Sequence, residues 1–85
     1  MPRDAYKKWS NLFDESELNR LLVLHFNRRL AEFNGVSLQQ KSRHIQEYCR
    51  RWGIENHLRE KLIQERPFLE EEFSEIGWNT TKEFV

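Results

Sequence analysis

One stretch decides the predicted fold of this chain: residues 45–54, which read IQEYCRRWGI. Its large apolar side chains recur at the spacing of one α-helical face, and they are Ile45, Tyr48, Cys49 and Trp52. Gly53 then stands where a helix end commonly requires a left-handed residue, a conformation that glycine adopts at low cost. A second helical pattern begins almost at once, at Asn56. The stretch therefore predicts two helices joined by a tight glycine turn.

Two capping signals precede this stretch. Asp14 with Glu17 forms a variant capping box, which predicts the start of a first long helix. We expect that helix to run to about Phe33 and to end at Asn34-Gly35. Ser37, followed three residues later by a glutamine, is a second capping box and predicts the start of the helix that ends at Trp52-Gly53.

Similar signals follow the stretch. Asn56 is expected to cap a third helix with Leu58, Leu62 and Ile63 on its inner face. Pro67 predicts a boundary at Arg66, because proline disfavours a helical conformation in the residue before it. A short fourth helix is then expected, with its apolar residues at Phe68, Leu69, Phe73 and Ile76 and its end at Gly77. Trp78 is expected to fold back onto the core.

These patterns predict an all-α fold: one helical domain over residues 1–85, built as a small bundle of three main helices and a short C-terminal helix after Pro67. Residues 1–13 are expected to form an aromatic turn anchored on the core, and residues 79–85 a flexible tail. The chain has six Phe and three Trp. Such side chains each bury about 150–250 Å², so a short chain can still form a core.

The composition restricts location and chemistry. Residues 1–66 hold 13 Lys or Arg against nine Asp or Glu, whereas residues 67–85 hold one Lys and five Glu, so the neutral whole conceals two oppositely charged parts. No apolar stretch approaches the roughly 20 residues that span a bilayer, and the start lacks the apolar centre of a signal peptide. We therefore expect an intracellular, cytoplasmic protein that does not enter membranes. A single cysteine forms no intramolecular disulfide.

Catalytic and metal-binding constellations are not evident in the sequence. His25, His44, His57 and Cys49 lack the spacing of zinc ligands, and neither a phosphate-binding glycine loop nor a Gly-x-Ser-x-Gly motif occurs. Cys49 falls in the middle of the predicted apolar stripe, where a thiol usually acts as a small hydrophobic group. We expect no catalytic, cofactor or metal site, and hence no enzyme.

The helix–glycine–helix unit resembles the helix-turn-helix of DNA-binding regulators over residues 43–62. Cys49, Gly53 and Ile54 match the small residue, the turn glycine and the apolar residue of that motif, but Arg59 stands where the motif prefers Ile or Val. The resemblance implies that the second helix enters the major groove. The residues that would contact DNA are Arg43, Arg50, Arg51, Asn56, Arg59 and Lys61. Glu47 lies four residues from both Arg43 and Arg51, a spacing that also predicts intrahelical ion pairs.

The first helix suggests a different function. Residues 21–26 are apolar almost all the way round, and Leu24 lies opposite the inner stripe of a helix extended to Phe33. Either the N-terminal segment covers Leu24, or another protein chain does. The second option predicts a partner-binding face of Leu24, Arg28, Arg29 and Ala31. Arg29 itself falls inside the inner stripe, where we expect its stem to snorkel or its charge to meet a carboxylate, most naturally from residues 70–75.

We therefore expect a non-enzymatic interaction or regulatory protein that docks a helical face on another protein or on a second copy of itself. The alternative function is a helix-turn-helix regulator that binds DNA through residues 43–62.

Overall fold

The computed structural model describes residues 3–78, which contain five α-helices and no strand. The helices are α1 (Tyr6–Trp9), α2 (Glu15–Phe26), α3 (Leu38–Arg51), α4 (Glu55–Glu65) and α5 (Leu69–Glu75). The predicted all-α fold is confirmed. The tail predicted at residues 79–85 lies outside the described residues. None of the helices between residues 3 and 78 has the length and apolarity needed to cross a membrane.

The N-terminal segment is anchored on the core. Trp9, at the end of α1, is fully buried, and Phe13 is nearly so. Arg66 fastens this segment from the far end of α4: its Nη2 donates to the Leu12 carbonyl at 3.0 Å and to Glu17 Oε2 at 2.9 Å. Its guanidinium also lies 4.7 Å from the centre of the Phe13 ring. The hydrogen bond from Arg66, aided by one from the Asp14 backbone, lowers the pKa of Glu17.

Helix α2 begins as predicted and ends earlier than predicted. The capping box is present, since Glu17 N donates to Asp14 Oδ1 at 2.7 Å and Asp14 N donates to Glu17 Oε1 at 3.1 Å. The expected extension to Phe33 is wrong, because Asn27 adopts a left-handed conformation (φ 56°, ψ 39°) and ends the helix. Asparagine tolerates that conformation better than most residues, so it can end a helix as glycine does. Arg29 consequently lies exposed in the following loop instead of within a helical stripe.

Helices α3 and α4 meet at the predicted glycine turn. Gly53 has φ 68°, and Ile54 N donates to the Cys49 carbonyl at 2.9 Å, which closes a Schellman motif. The expectation that Asn56 caps α4 is wrong, because the N-cap is Ile54 and Asn56 already lies in the first turn. Ile54 thus belongs both to the turn and to the start of α4, and its apolar side chain makes no capping hydrogen bond.

The second half of the predicted Ser37 capping box also differs. Ser37 Oγ accepts from Gln40 N at 3.1 Å, as expected. The Gln40 side chain, however, accepts from Val36 N at 2.8 Å. Ser37 is therefore the N-cap of α3 as predicted, and only the reciprocal hydrogen bond to the Gln40 side chain comes from one residue further out.

The C-terminal part folds as predicted except at Phe68, which is the exposed N-cap of α5 and not one of its helical apolar residues. Helix α4 ends before Pro67, α5 follows, and Gly77 adopts φ 86°. Trp78 packs on Phe73 with 4.6 Å between ring centres and is only 2% exposed. All five helices contribute to the resulting core, for example through the fully or almost fully buried Trp9, Leu22, Ile45, Leu58 and Phe73.

Candidate functional site

Trp52 is the most conspicuous feature of the surface. Its side chain is 64% exposed, whereas Trp9 is 0% and Trp78 2% exposed. Trp52 is the C-cap of α3, and the chain turns at Gly53 immediately after it. The predicted inner stripe is confirmed for Ile45 and Cys49, which are fully buried, but it is wrong for Trp52. The helix ends before Trp52 can join that stripe.

Trp52 belongs to a chain of aromatic contacts. Its ring centre lies 6.4 Å from that of the half-buried Tyr48, which in turn meets the Phe33 ring edge-on at 5.7 Å. Arg28 lies over the Tyr48 ring at 5.3 Å and donates from Nε to the Tyr48 hydroxyl at 3.1 Å. That hydrogen bond is the main reason why the pKa of Arg28 is raised. These contacts hold the Tyr48 ring in one orientation beside Trp52.

A shallow cavity of about 210 Å³ lies beside Tyr48. It is lined by Glu32, Phe33, Asn34, His44, Glu47, Tyr48 and Arg51. Its two carboxylates are already engaged, because Glu32 pairs with Arg28 at 3.5 Å and Glu47 lies 3.5 Å from Arg43 and 3.7 Å from His44. Arg51 has no ion pair with any residue between 3 and 78. We call Arg28, Tyr48, Arg51 and Trp52 together the Trp52 surface.

The structure does not gather the predicted partner-binding residues on one helical face. Leu24 lies on α2 and is 63% exposed, so the described N-terminal segment does not cover it. Because α2 ends at Phe26, Arg28, Arg29 and Ala31 follow the turn at Asn27 and do not continue the face of Leu24. Ala31 lines a separate cavity. Arg28 belongs instead to the Trp52 surface, and an interface role for Leu24 stays a prediction.

The residues expected to contact DNA have different environments. Arg43, Arg50 and Arg51 are exposed on α3, and Asn56 and Lys61 are half-buried on α4. Arg59 is only 7% exposed and donates from Nε to the Trp78 carbonyl at 2.7 Å. The position where the helix-turn-helix motif prefers an apolar residue thus also faces inward here, with an arginine in it. Arg59 is therefore removed from the set of surface cations.

The groups that could carry chemistry are few in the described part of the chain. Burial, followed by the charge of Glu55, raises the pKa of the Cys49 thiol to about 12, so the thiol stays protonated near neutral pH. His57 Nε2 lies 3.2 Å from the His25 carbonyl, and its ring packs on Phe26 at 4.9 Å. Burial, with smaller contributions from Lys61 and His57, lowers the pKa of His25. Between residues 3 and 78, no three His, Cys, Asp or Glu side chains are grouped as metal ligands.

Comparisons with known protein families, with curated proteins and with solved structures find no match for this chain. Any function proposed for it therefore depends on its own residues.

Sequence patterns missed the exposure of Trp52, although one signal could have indicated it. Trp52 directly precedes the turn glycine, so it is the C-cap, a position only half within the helix. The i, i+3, i+4, i+7 spacing of apolar residues does not reveal where the helix ends, so it assigns Trp52 to the inner stripe. The interaction of Arg28 with Tyr48, which lie 20 residues apart, has no comparable signal in the sequence.

Proposed function

We propose that this chain is a non-enzymatic docking protein that binds a protein partner through the Trp52 surface. The observation that carries the proposal is the 64% exposed indole of Trp52 beside Tyr48 and Arg51. Trp, Tyr and Arg are the residue types that most often dominate the energy of protein interfaces. An exposed indole has apolar area to lose to a partner, since a buried tryptophan removes about 150–250 Å² from water.

The geometry of this surface favours tight docking. Tyr48 is held between Arg28 and the Phe33 edge, so binding orders few additional rotatable bonds there. Arg51, which lacks an ion pair among the described residues, is available to an acidic group. The expected partner is therefore a protein surface with an apolar pocket for the Trp52 indole and a carboxylate near Arg51.

DNA binding through residues 43–62 is the second candidate function. The Gly53 turn between α3 and α4 and the exposed Arg43 and Arg50 support it. The surface of α4 supports it less, because Arg59 is buried and the exposed Glu60 would repel phosphates.

Affinity capture from a lysate of the source cells tests the proposal when wild type, Trp52→Ala and Arg51→Glu are compared as bait. We expect a protein that wild type retains to be lost with both variants. Leu24→Asp is the matched control, because Leu24 is equally exposed but lies on α2. Capture that persists with Trp52→Ala, or that only Leu24→Asp abolishes, would refute the Trp52 surface as the docking site.

A nuclease treatment separates the two candidate functions. Capture that survives nuclease, and that changes little between low and moderate salt, supports a protein partner. Loss on nuclease treatment, with a steep decrease in duplex affinity as salt rises, would favour the DNA alternative, because phosphate contacts release counterions.

Self-association is measured directly by sedimentation of the purified chain over a range of concentrations. A dimer that dissociates in Trp52→Ala would identify a second copy of the chain as the protein partner. A dimer that dissociates only in Leu24→Asp would place the interface on α2, against the proposal.

A further inference from the structure

A further cavity lies on α3 where that helix meets the N-terminal segment, and it shares Glu47 with the cavity beside Tyr48. Its volume is about 260 Å³, and it is lined by Arg3, Arg43, Gln46, Glu47 and Arg50. Liquid water occupies about 30 Å³ per molecule, so the cavity has room for several waters or for one polyatomic anion. Three of the five lining side chains are guanidinium groups.

The cavity has a definite construction. Arg43, Gln46, Glu47 and Arg50 follow the i, i+3, i+4, i+7 spacing, which places them on one side of α3. Arg3, which lies 43 residues before Gln46 in the chain, reaches the same place. Its carbonyl accepts a 2.7 Å hydrogen bond from Nε2 of Gln46, a residue only 4% exposed. A buried side chain of α3 thus holds the backbone of Arg3 at the cavity.

The charges of the described residues around the cavity are not balanced. Among the described residues that line it, Glu47 is the one carboxylate, and it lies 3.5 Å from Arg43 and 3.7 Å from His44. Arg3 and Arg50 have no ion pair within residues 3–78. Bringing like charges together is unfavourable unless an opposite charge compensates them.

We propose that the cavity lined by Arg3, Arg43 and Arg50 binds a phosphate group, either as free phosphate or as the monoester of a small molecule. A phosphate monoester carries about −1.5 to −2 charges at pH 7 and three strong acceptor oxygens. Planar guanidinium groups donate two parallel hydrogen bonds to such oxygens. Arginines that reach one anion from both the N-terminal segment and α3 would hold it from two sides.

The test is isothermal titration of the intact chain with inorganic phosphate, at an ionic strength kept constant with chloride. Wild type is expected to bind in the millimolar range or tighter, and Arg50→Gln and Arg43→Gln each to weaken binding about tenfold or more, since losing a hydrogen bond to a charged group has an effect of that order. Arg51→Gln is the matched control, because Arg51 is an exposed arginine of α3 that does not line this cavity. Absence of binding in wild type, or equal weakening in Arg51→Gln, would overturn the proposal.

Glu47→Gln provides a test in the opposite direction. Its carboxylate competes with the ligand for Arg43, so its removal should tighten phosphate binding about two- to fivefold, in keeping with the strength of an exposed ion pair. Weaker or unchanged binding in Glu47→Gln would contradict the arrangement described here. Circular dichroism of each variant checks that the helices are retained.

A second titration with phenyl phosphate distinguishes the two sources of the phosphate group. Binding tighter than that of inorganic phosphate assigns the cavity to monoesters, and weaker binding assigns it to the free ion. Trp52→Ala should leave both titrations unchanged, because Trp52 does not line the cavity. The experiments can therefore refute the phosphate site without refuting docking through the Trp52 surface, and they can refute docking without refuting the phosphate site.

Discussion

Two corners of this molecule, each at the end of a helix, have the same backbone geometry, but the tryptophan is exposed in one and buried in the other. The corners are residues 52–54, with the order Trp-Gly-Ile, and residues 76–78, with the order Ile-Gly-Trp. Their glycines have φ of 68° and 86°. In each corner the residue after the glycine donates its N–H to a carbonyl five residues earlier, at 2.9 Å in the first and 2.8 Å in the second.

The tryptophans lie on opposite sides of their glycines and differ in environment. Trp78 follows its glycine and packs back on Phe73, whereas Trp52 precedes its glycine and is exposed. The isoleucine in the other place of each corner is half-buried against the core in both, so the position relative to the glycine does not by itself set burial. The segments that pack around each corner make Trp78 part of the core and leave Trp52 open.

The largest expected effect tests whether the two tryptophans differ as described. Trp78→Ala should lower the free energy of unfolding by about 3–5 kcal/mol, since it leaves a large cavity beside Phe73. Trp52→Ala should change it by no more than about 0.5 kcal/mol, as exposed substitutions usually do. Urea unfolding monitored by circular dichroism measures both values. Similar losses in the two variants would mean that Trp52 also supports the core.

The glycines should be equivalent even though the tryptophans are not. Gly53→Ala and Gly77→Ala should each lower the free energy of unfolding by about 1–2 kcal/mol, because both positions are left-handed while an added Cβ meets no atom within 4 Å at either one. Gly53→Val, which introduces a β-branched side chain, should lower the free energy of unfolding by at least about 1 kcal/mol for the same reason. Thermal and urea unfolding of the two alanine variants test this equality.

Gly35→Ala is the contrasting control for the glycine prediction. Its added Cβ would lie 2.7 Å from the Cβ of Gln40, so a steric clash adds to the backbone strain. Its loss of stability should therefore exceed that of either corner glycine. A loss no larger than that of either corner glycine would show that Gln40 moves aside and that the clash does not add to the backbone strain.

A smaller effect distinguishes the corners at alkaline pH. The residue whose carbonyl accepts the closing hydrogen bond is Cys49 in the first corner and Phe73 in the second, and only the cysteine can ionise. Burial raises the pKa of Cys49 to about 12, while an unfolded thiol has a pKa of about 8.5. The unfolded state therefore loses this proton first, so stability should decrease as pH rises between about 9 and 12. Below about pH 9 the thiol is protonated in both states, so its full contribution to the free energy of unfolding should be present.

Cys49→Ala isolates the contribution of the thiol. The free energy of unfolding of this variant should start lower, because a buried sulfur is lost, and should fall less steeply between pH 9 and 12. Parallel pH profiles for wild type and variant would show that the thiol remains as accessible to water as in the unfolded chain.

The smallest expected effect is a change in fluorescence quenching, with no change in stability. Iodide should quench a fraction of the tryptophan fluorescence that comes from Trp52, because Trp9 and Trp78 are buried. Trp52→Ala should lose that accessible fraction and keep the shielded one. Quenching that persists in Trp52→Ala would mean that one of the other tryptophans is open to solvent. Protection of the accessible fraction on addition of a partner would report docking at Trp52.

Local signals predicted most of the helix boundaries. The Asp14–Glu17 box, the left-handed glycines and the break before Pro67 each depend on a few neighbouring residues, and the structure has all of them. The premature end of α2 at Asn27 was missed, because an asparagine is a weaker stop signal than the Asn34-Gly35 pair that follows. That error extended a helical face past its real end and joined Leu24 to Ala31.

The residues of the proposed sites could be predicted from local sequence patterns to a much smaller extent. Spacing along α3 places Arg43 and Arg50 on one side, but nothing near them indicates that Arg3 joins them. Arg59 was expected at the surface, since arginines are rarely buried. It is buried because its Nε donates to the Trp78 carbonyl at 2.7 Å, a contact between segments that are 19 residues apart.

The sequence by itself determined where the helices start and turn, because caps, glycines and prolines act through backbone conformations that extend over only a few residues. Only the tertiary structure decided which side chains those helices leave open. Trp52 is exposed, Arg59 is buried and Arg3 lines a cavity with Arg50. Each of these outcomes depends on which distant segment covers a given face, and burial is set by such contacts between segments rather than by the spacing within one of them.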